Sequence, residues 1–285
     1  MHIPGYSGGS APDLHRLPYT TDRMLGQILL PRAPRRTVAR RAHTSVPRPY
    51  PELVCGRYTN TAGPEEISKQ LGFNVIGTDG TRRFNVAPTQ EVLAIAAPDG
   101  DPQSMLMRWG LLPAWMKDQK SAYKLINARL ESVTSKRTFS TLIADGSHRA
   151  LQVADGWFEW LKAERPSQPR QPFHFQVDGG SVFAFAALWT QTKDEELEWI
   201  KSITLLTCDS RTNEIARAVH DRMPVILSDR DAQRAWLDPS IKTEEALQLC
   251  GPLATERLSS KPANPAVNGV RGVTEGPELL VPPAA

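Results

Sequence analysis

The chain has 285 residues, of which 40% are hydrophobic and 23% charged, with a formal net charge of +3. This is enough apolar material for one large domain or two small ones, and no apolar run approaches the roughly 18 residues that a membrane-spanning helix needs. Three cysteines, Cys55, Cys208 and Cys250, with no C-x-x-C pair, suggest neither a disulfide framework nor a four-ligand zinc site and fit a reducing, cytosolic compartment.

Residues 1–54 hold eight arginines, eight prolines, no lysine and three acids. They therefore carry +5 of the total of +3, which leaves −2 for residues 55–285. Few large apolar side chains and no periodicity predict a disordered extension, because such a composition does not offset the entropy of ordering. Three origins are compatible with it: an arginine-rich organellar leader, a segment removed by processing, or a segment never translated, Val54 then being a GTG start codon read as initiator Met. In the last two cases Cys55 becomes the first residue of the mature protein.

From Cys55 onward the pattern changes. "GPEEISKQLG" (63–72) predicts a short helix with Pro64 in its first turn, acids at its positive end and Gly72 as its stop. Strands are expected at "EVLAIAAP" (91–98), "MLMRWGLL" (105–112), "RALQVADGWFEW" (149–160), "PFHFQV" (172–177), "VFAFAALW" (182–189) and "ITLLTC" (203–208). Helices are expected over 212–220, 228–238 and 243–251, each opened by a Ser, Thr, Asn or Asp cap candidate. Strands and helices do not alternate, which argues for an α+β domain spanning 55–285, with a mixed or antiparallel sheet core and flanking helices. No G-x-G-x-x-G, P-loop or internal repeat is present.

Five stretches set polar residues among large apolar ones: "CGRYTN" (55–60), "RFNVAPTQ" (83–90), "INARLES" (126–132), "ADGWFEW" (154–160) and "HDRMPVIL" (220–227). Strand alternation places Glu159 on the face opposite Phe158 and Trp160, or in a polar pocket between layers. Each residue also has a plain structural reading. Glu159 can be a solvent-facing carboxylate, His220 a helix-dipole cap, Asn127 a turn residue, Arg129 and Glu131 an ion pair, and Asn85 with Pro88 ordinary loop chemistry.

Taken together, the five stretches and the terminal "VNGVRGVTEGPELLVP" (267–282) resemble the SOS-response-associated peptidase (SRAP) family. The resemblance runs from Cys55 nearly to the end. It implies a single SRAP-type domain whose Cys55 is N-terminal, and a monomer without cofactor or metal that acts on abasic sites in single-stranded DNA, including junctions with duplex. A nucleoid-associated place in the cytoplasm follows from that role. It implies catalytic roles for Cys55, Asn127, Glu159 and His220. DNA contacts fall to Gly56, Arg57 and Arg129, and Asn85, Pro88, Trp109 and Trp115 form a stacking and wedge surface; core packing is the alternative for the tryptophans. Met116, where the family often has a second aromatic, and Gln152, at a usually apolar position, depart from the pattern.

The chemistry behind the resemblance is elementary. An N-terminal cysteine is a 1,2-aminothiol whose amine condenses with an aldehyde and whose thiol closes the product to a thiazolidine. Its amine has an ordinary pKa of about 7.7–8.0, so a useful fraction is neutral at cellular pH. Two other functions remain open from sequence: a thiol peptidase or self-cleaving protein in which His220 serves Cys55 as base, and a non-covalent single-strand binder.

Overall fold

The computed structural model describes residues 54–76, 82–116, 119–162, 170–193, 197–269 and 275–283. In chain order the elements are β1 (Arg57–Asn60), α1 (Pro64–Leu71), β2 (Arg83–Val86), β3 (Glu91–Ala96), β4 (Gln103–Trp109), β5 (Asn127–Arg129), α2 (Arg137–Ala144), β6 (Arg149–Ala154), β7 (Gly156–Trp160), β8 (Pro172–Val177), β9 (Phe183–Lys193), β10 (Trp199–Asp209), α3 (Glu214–Arg217), β11 (Arg222–Pro224), β12 (Ile226–Leu227), α4 (Arg230–Leu237), α5 (Thr243–Gln248) and β13 (Leu258–Pro262). The fold is α+β, as the sequence predicts. The expectation of disorder for the extension falls almost entirely on residues outside those described.

Strands β3, β4, β6, β9 and β10 close into a small barrel: β4–β3–β6–β9–β10 pair antiparallel, and β10 returns to β4 in parallel, with Ile203 opposite Trp109. Closure removes the exposed edges of these strands. It also explains why "FAFAALW" in β9 does not alternate: every residue from Phe183 to Trp189 is buried, one face filling the barrel and the other covered by neighbouring elements. Helix α2 contributes part of that cover, and helix α4 packs on the adjacent β6, with Trp236 fully buried and its Nε1–H donated to the Ala150 carbonyl at 2.9 Å.

A second, antiparallel sheet runs in the order β13–β8–β7–β1–β2. Its inner face meets the barrel through Tyr58, whose ring lies 5.3 Å from Trp109 and 5.9 Å from Phe185, and through Trp157, edge-on to Phe183 and Phe185. Its outer face carries Phe158 and Trp160, which pack against Ala263, Val267 and Leu280 of the C-terminal segment. The predicted strand 149–160 is thus two strands in two sheets, divided at Asp155. The Asp155 carboxylate turns the chain there: it accepts from Thr59 Oγ1 at 2.5 Å, Thr61 N at 2.5 Å, Thr61 Oγ1 at 2.7 Å and Ala62 N at 3.1 Å.

Helix α1 ends as its sequence predicts, with Gly72 left-handed at φ 75°. Side-chain caps close α3, where Asn213 accepts from Ala216 N, and α4, where Asp229 accepts from Asp231 N and Ala232 N. The start of α5 has no side-chain cap, and α3 is only four residues long.

Candidate active site around Cys55

Residue 55 is placed by the pairing of β1 with β7, in the register Arg57–Phe158, Tyr58–Trp157 and Thr59–Gly156. That register carries the chain just before β1 alongside Glu159. The Cys55 backbone nitrogen donates to Glu159 Oε1 at 2.5 Å, and both residues are buried. Because Phe158 and Trp160 point to the outer face, Glu159 points inward between the two sheets, the polar pocket that alternation allows. Asn127 opens β5, which runs parallel to β10 with Leu205 opposite it. Its amide Nδ2 donates to the carbonyl oxygen of Val54. Both polar atoms of the Val54–Cys55 peptide bond are therefore gripped, the oxygen by Asn127 and the nitrogen by Glu159. Cys55 itself is left-handed, at φ 47°. That conformation costs a non-glycine residue about 1–2 kcal/mol.

Burial pushes the Glu159 carboxyl well above the usual carboxylate range; the Cys55 N–H opposes this and the nearby Asp221 charge adds to it. Burial likewise pushes the Cys55 thiol up, with Glu159 adding to the effect, so the sulfur is held as a thiol. Both shifts favour the protonated forms, which suits the pocket to acid catalysis and to a neutral nucleophile.

His220 lies in the turn between α3 and β11, with its carbonyl accepting from Ser210 Oγ at 2.7 Å. Its Nδ1 accepts from the Arg222 backbone N–H at 3.0 Å and sits 3.1 Å from Asp221 Oδ1. A backbone N–H can only donate, so the neutral ring carries its hydrogen on Nε2; the Asp221 carboxylate becomes a hydrogen-bond partner only when Nδ1 is protonated. Arg222 braces this turn against β10 and the turn that follows β5. Its guanidinium bonds Glu131 at 3.1 and 3.2 Å and the Thr207 carbonyl at 2.8 Å. Glu131 therefore pairs with Arg222.

The residues expected to contact DNA separate into two groups. Trp115 is 62% exposed, Arg129 is exposed and Pro88 is half-buried, all compatible with a binding surface. Trp109 is fully buried, its Nε1–H donated to the Ile126 carbonyl at 3.1 Å, so it is core and has no face for a base. Asn85 is also buried, and its Nδ2 donates to Gly269 O at 3.1 Å; it fastens the C-terminal segment and is not part of a stacking surface. Gly56 and Arg57 are buried, and Arg57 Nη1 folds back onto the Gly56 carbonyl at 2.7 Å, so this guanidinium is not an exposed phosphate arm. Asp155, Asp221, Glu131, Arg222 and Glu275 were not among the sequence-derived candidates for the site. Except for Asp221, which sits beside its partner His220 in the "HDR" run, their side chains are held by partners remote in sequence.

The family profile "SOS response associated peptidase (SRAP)" matches residues 54–270. The chain is 30% identical to the "Abasic site processing protein YoqW" of Bacillus subtilis over 80% of this chain and 99% of that protein. It is also 30% identical to the "Abasic site processing protein YedK" of Escherichia coli over 80% of this chain and 100% of that protein. Among solved structures, a protein from Bacteroides thetaiotaomicron superimposes with a TM-score of 0.66 at 20% identity, covering 79% of this chain and 98% of the other. A phage-related protein from Bordetella bronchiseptica does so with a TM-score of 0.60 at 27% identity, covering 73% and 93%. Profile and relatives lead to one conclusion: this chain belongs to the SRAP family.

Proposed function

We propose that this protein processes abasic sites in single-stranded DNA by capturing them covalently on Cys55. The observation that carries the reading is the 2.5 Å approach of the Cys55 nitrogen to the buried Glu159 carboxyl. The names of the relatives support the substrate. Once the Val54–Cys55 bond is gone, that nitrogen is a primary amine beside an acid. It adds to the C1′ aldehyde of the ring-opened sugar; Glu159 gives a proton to the departing hydroxyl, and one water leaves as the imine forms. The Cys55 thiol then adds across the C=N bond, its proton passing to nitrogen, and closes a five-membered thiazolidine. Closure is intramolecular and so entropically favoured. The amide of Asn127, released from the Val54 carbonyl, is free to hold a sugar oxygen, and His220 offers Nε2–H to another. Trp115 and Arg129 supply the exposed stacking face and cation for the flanking strand.

A self-cleaving reading is favoured by one specific feature, the two-sided grip on a peptide bond at a strained residue. The Cys55 sulfur attacks the Val54 carbonyl carbon, Asn127 stabilises the oxygen, and the thiol proton passes through Glu159 to the leaving nitrogen. Water then hydrolyses the Val54 thioester and regenerates the thiol. This step delivers the amine that capture needs, so the two activities form a sequence. A general peptidase with His220 as base fits less well, because the neutral ring presents a hydrogen on Nε2 where a base needs a lone pair.

The test is incubation of the protein, before and after exposure of Cys55, with an oligonucleotide carrying one abasic site. Only the exposed form should give a denaturant-resistant adduct, with a mass equal to the two components less one water. An equal yield from chains in which Cys55 is still amide-linked would overturn the reading.

A further inference from the structure

Strand β2 is an edge of the second sheet, and its pairing with β1 is irregular: Tyr58 faces Val86 and Asn60 faces Arg83. Two steps along β1 thus correspond to three along β2, which is a β-bulge at Phe84 and Asn85. Successive N–H groups of a regular strand point to opposite sides, and a bulge can turn two of them the same way. Here both converge on one oxygen, Glu275 Oε2, at 2.6 Å from Phe84 N and 3.2 Å from Asn85 N. Arg83 Nε stands 3.9 Å from the other oxygen, and its guanidinium is steadied by the Gln90 side chain at 2.5 Å and the Glu91 carbonyl at 3.3 Å. Two convergent amides and a fixed guanidinium form an anion cradle, filled by a carboxylate from 190 residues away.

Capping a strand edge does not need this arrangement, since a lysine or a proline suffices. The cradle is also open: the side chains of Glu275 and Arg83 are 45% and 29% exposed. It lies beside Thr59, four residues after Cys55 and so at most roughly 14 Å from it along the chain, within reach of a strand threaded through the site. Beside it, the buried Asn85 Oδ1 has no partner among the described residues. Residues 55–285 sum to −2, so a DNA strand depends on local cationic sites of this kind.

We propose that the cradle of Arg83 Nε and the Phe84 and Asn85 amides is a phosphodiester site, occupied by the Glu275 carboxylate until single-stranded DNA displaces it. This rests on the DNA-binding reading above. Exchange of one anion for another keeps the amides paired throughout, and it makes Glu275 a gate that weakens binding of DNA lacking enough other contacts to compete.

The test uses the full chain and an intact oligonucleotide without abasic sites, so that capture is not involved. Glu275→Gln should tighten binding by about three- to tenfold at low salt. Glu278→Gln, an equal charge change on the same segment outside the cradle, should leave affinity within about twofold, and adding Arg83→Gln to Glu275→Gln should abolish the gain. In the wild type, the Phe84 and Asn85 amide resonances should shift on addition of the oligonucleotide, a readout that needs no substitution. Inorganic phosphate should move the same resonances only at far higher concentration. Unmoved amides, equal gains from both glutamine variants, or saturation by phosphate at the oligonucleotide's own concentration would each overturn the proposal. Covalent capture of abasic DNA, scored separately on denaturing gels, distinguishes failure of the cradle from failure of the site at Cys55.

Discussion

Replacing Asp155 with alanine strikes the joint between barrel and second sheet. Its carboxylate takes four hydrogen bonds, from Thr59 Oγ1, Thr61 N, Thr61 Oγ1 and Ala62 N, and the residue is only 7% exposed. A typical net value of about 1 kcal/mol per bond gives a loss of roughly 3–4 kcal/mol, since the orphaned donors lie in a part-buried turn that water reaches poorly. For a domain of this size that is a fall in Tm of about 10 °C. The same bonds anchor the far end of β1, whose near end holds Cys55 against Glu159. Capture of abasic DNA should therefore slow well below the new melting temperature, while Asp155→Asn, which keeps one acceptor oxygen, recovers part of both effects. Urea unfolding and gel-based capture rates measure the two. A loss below about 1 kcal/mol with an unchanged capture rate would show that Asp155 does not anchor β1.

Trp115→Ala should weaken DNA binding by about 1–3 kcal/mol and leave stability nearly unchanged, whereas Trp109→Ala should cost about 3–5 kcal/mol of stability, as measured by anisotropy and thermal melts. Glu159→Gln keeps a hydrogen-bond acceptor near the Cys55 nitrogen but removes the transferable proton, and should slow capture by about 10²–10⁴ in single-turnover assays while DNA affinity is retained. Burial lowers the His174 pKa to about 4, with Asp155 opposing and Lys261 assisting. Since the unfolded chain binds this proton first, the stability it contributes is complete above about pH 6.5 and is lost as pH falls toward 4, up to roughly 3 kcal/mol. His174→Gln should flatten that part of the stability profile.

Several of these features were legible in the sequence because they depend on local rules. The Phe158-Glu159-Trp160 alternation put the carboxylate opposite the two aromatics while leaving open whether that face meets solvent, and Gly72 foretold the end of α1. Apolar, β-prone runs located the barrel strands. Other features depend on which distant segments meet. Trp109 and Trp115 are equally aromatic in sequence, and only closure of β10 onto β4 buries one and leaves the other at the surface. Arg57 reads as a phosphate ligand until its guanidinium is seen folded against Gly56. The grip of Asn127 on Val54 spans 73 residues, and that of Glu275 on β2 spans 190. Strands β5, β11 and β12 have three or fewer residues, too short for any periodicity, and α2 combines Thr, Ser and Phe in a pattern with little helical preference.

Whether the nitrogen of residue 55 is a free amine decides the chemistry of this site, and intact mass spectrometry of the native protein after reaction with abasic single-stranded DNA reads it out. Every crosslinked molecule should begin at Cys55 and have lost one water in joining the sugar. Crosslinked molecules that still carry Val54 joined to Cys55 would rule out capture by the amine.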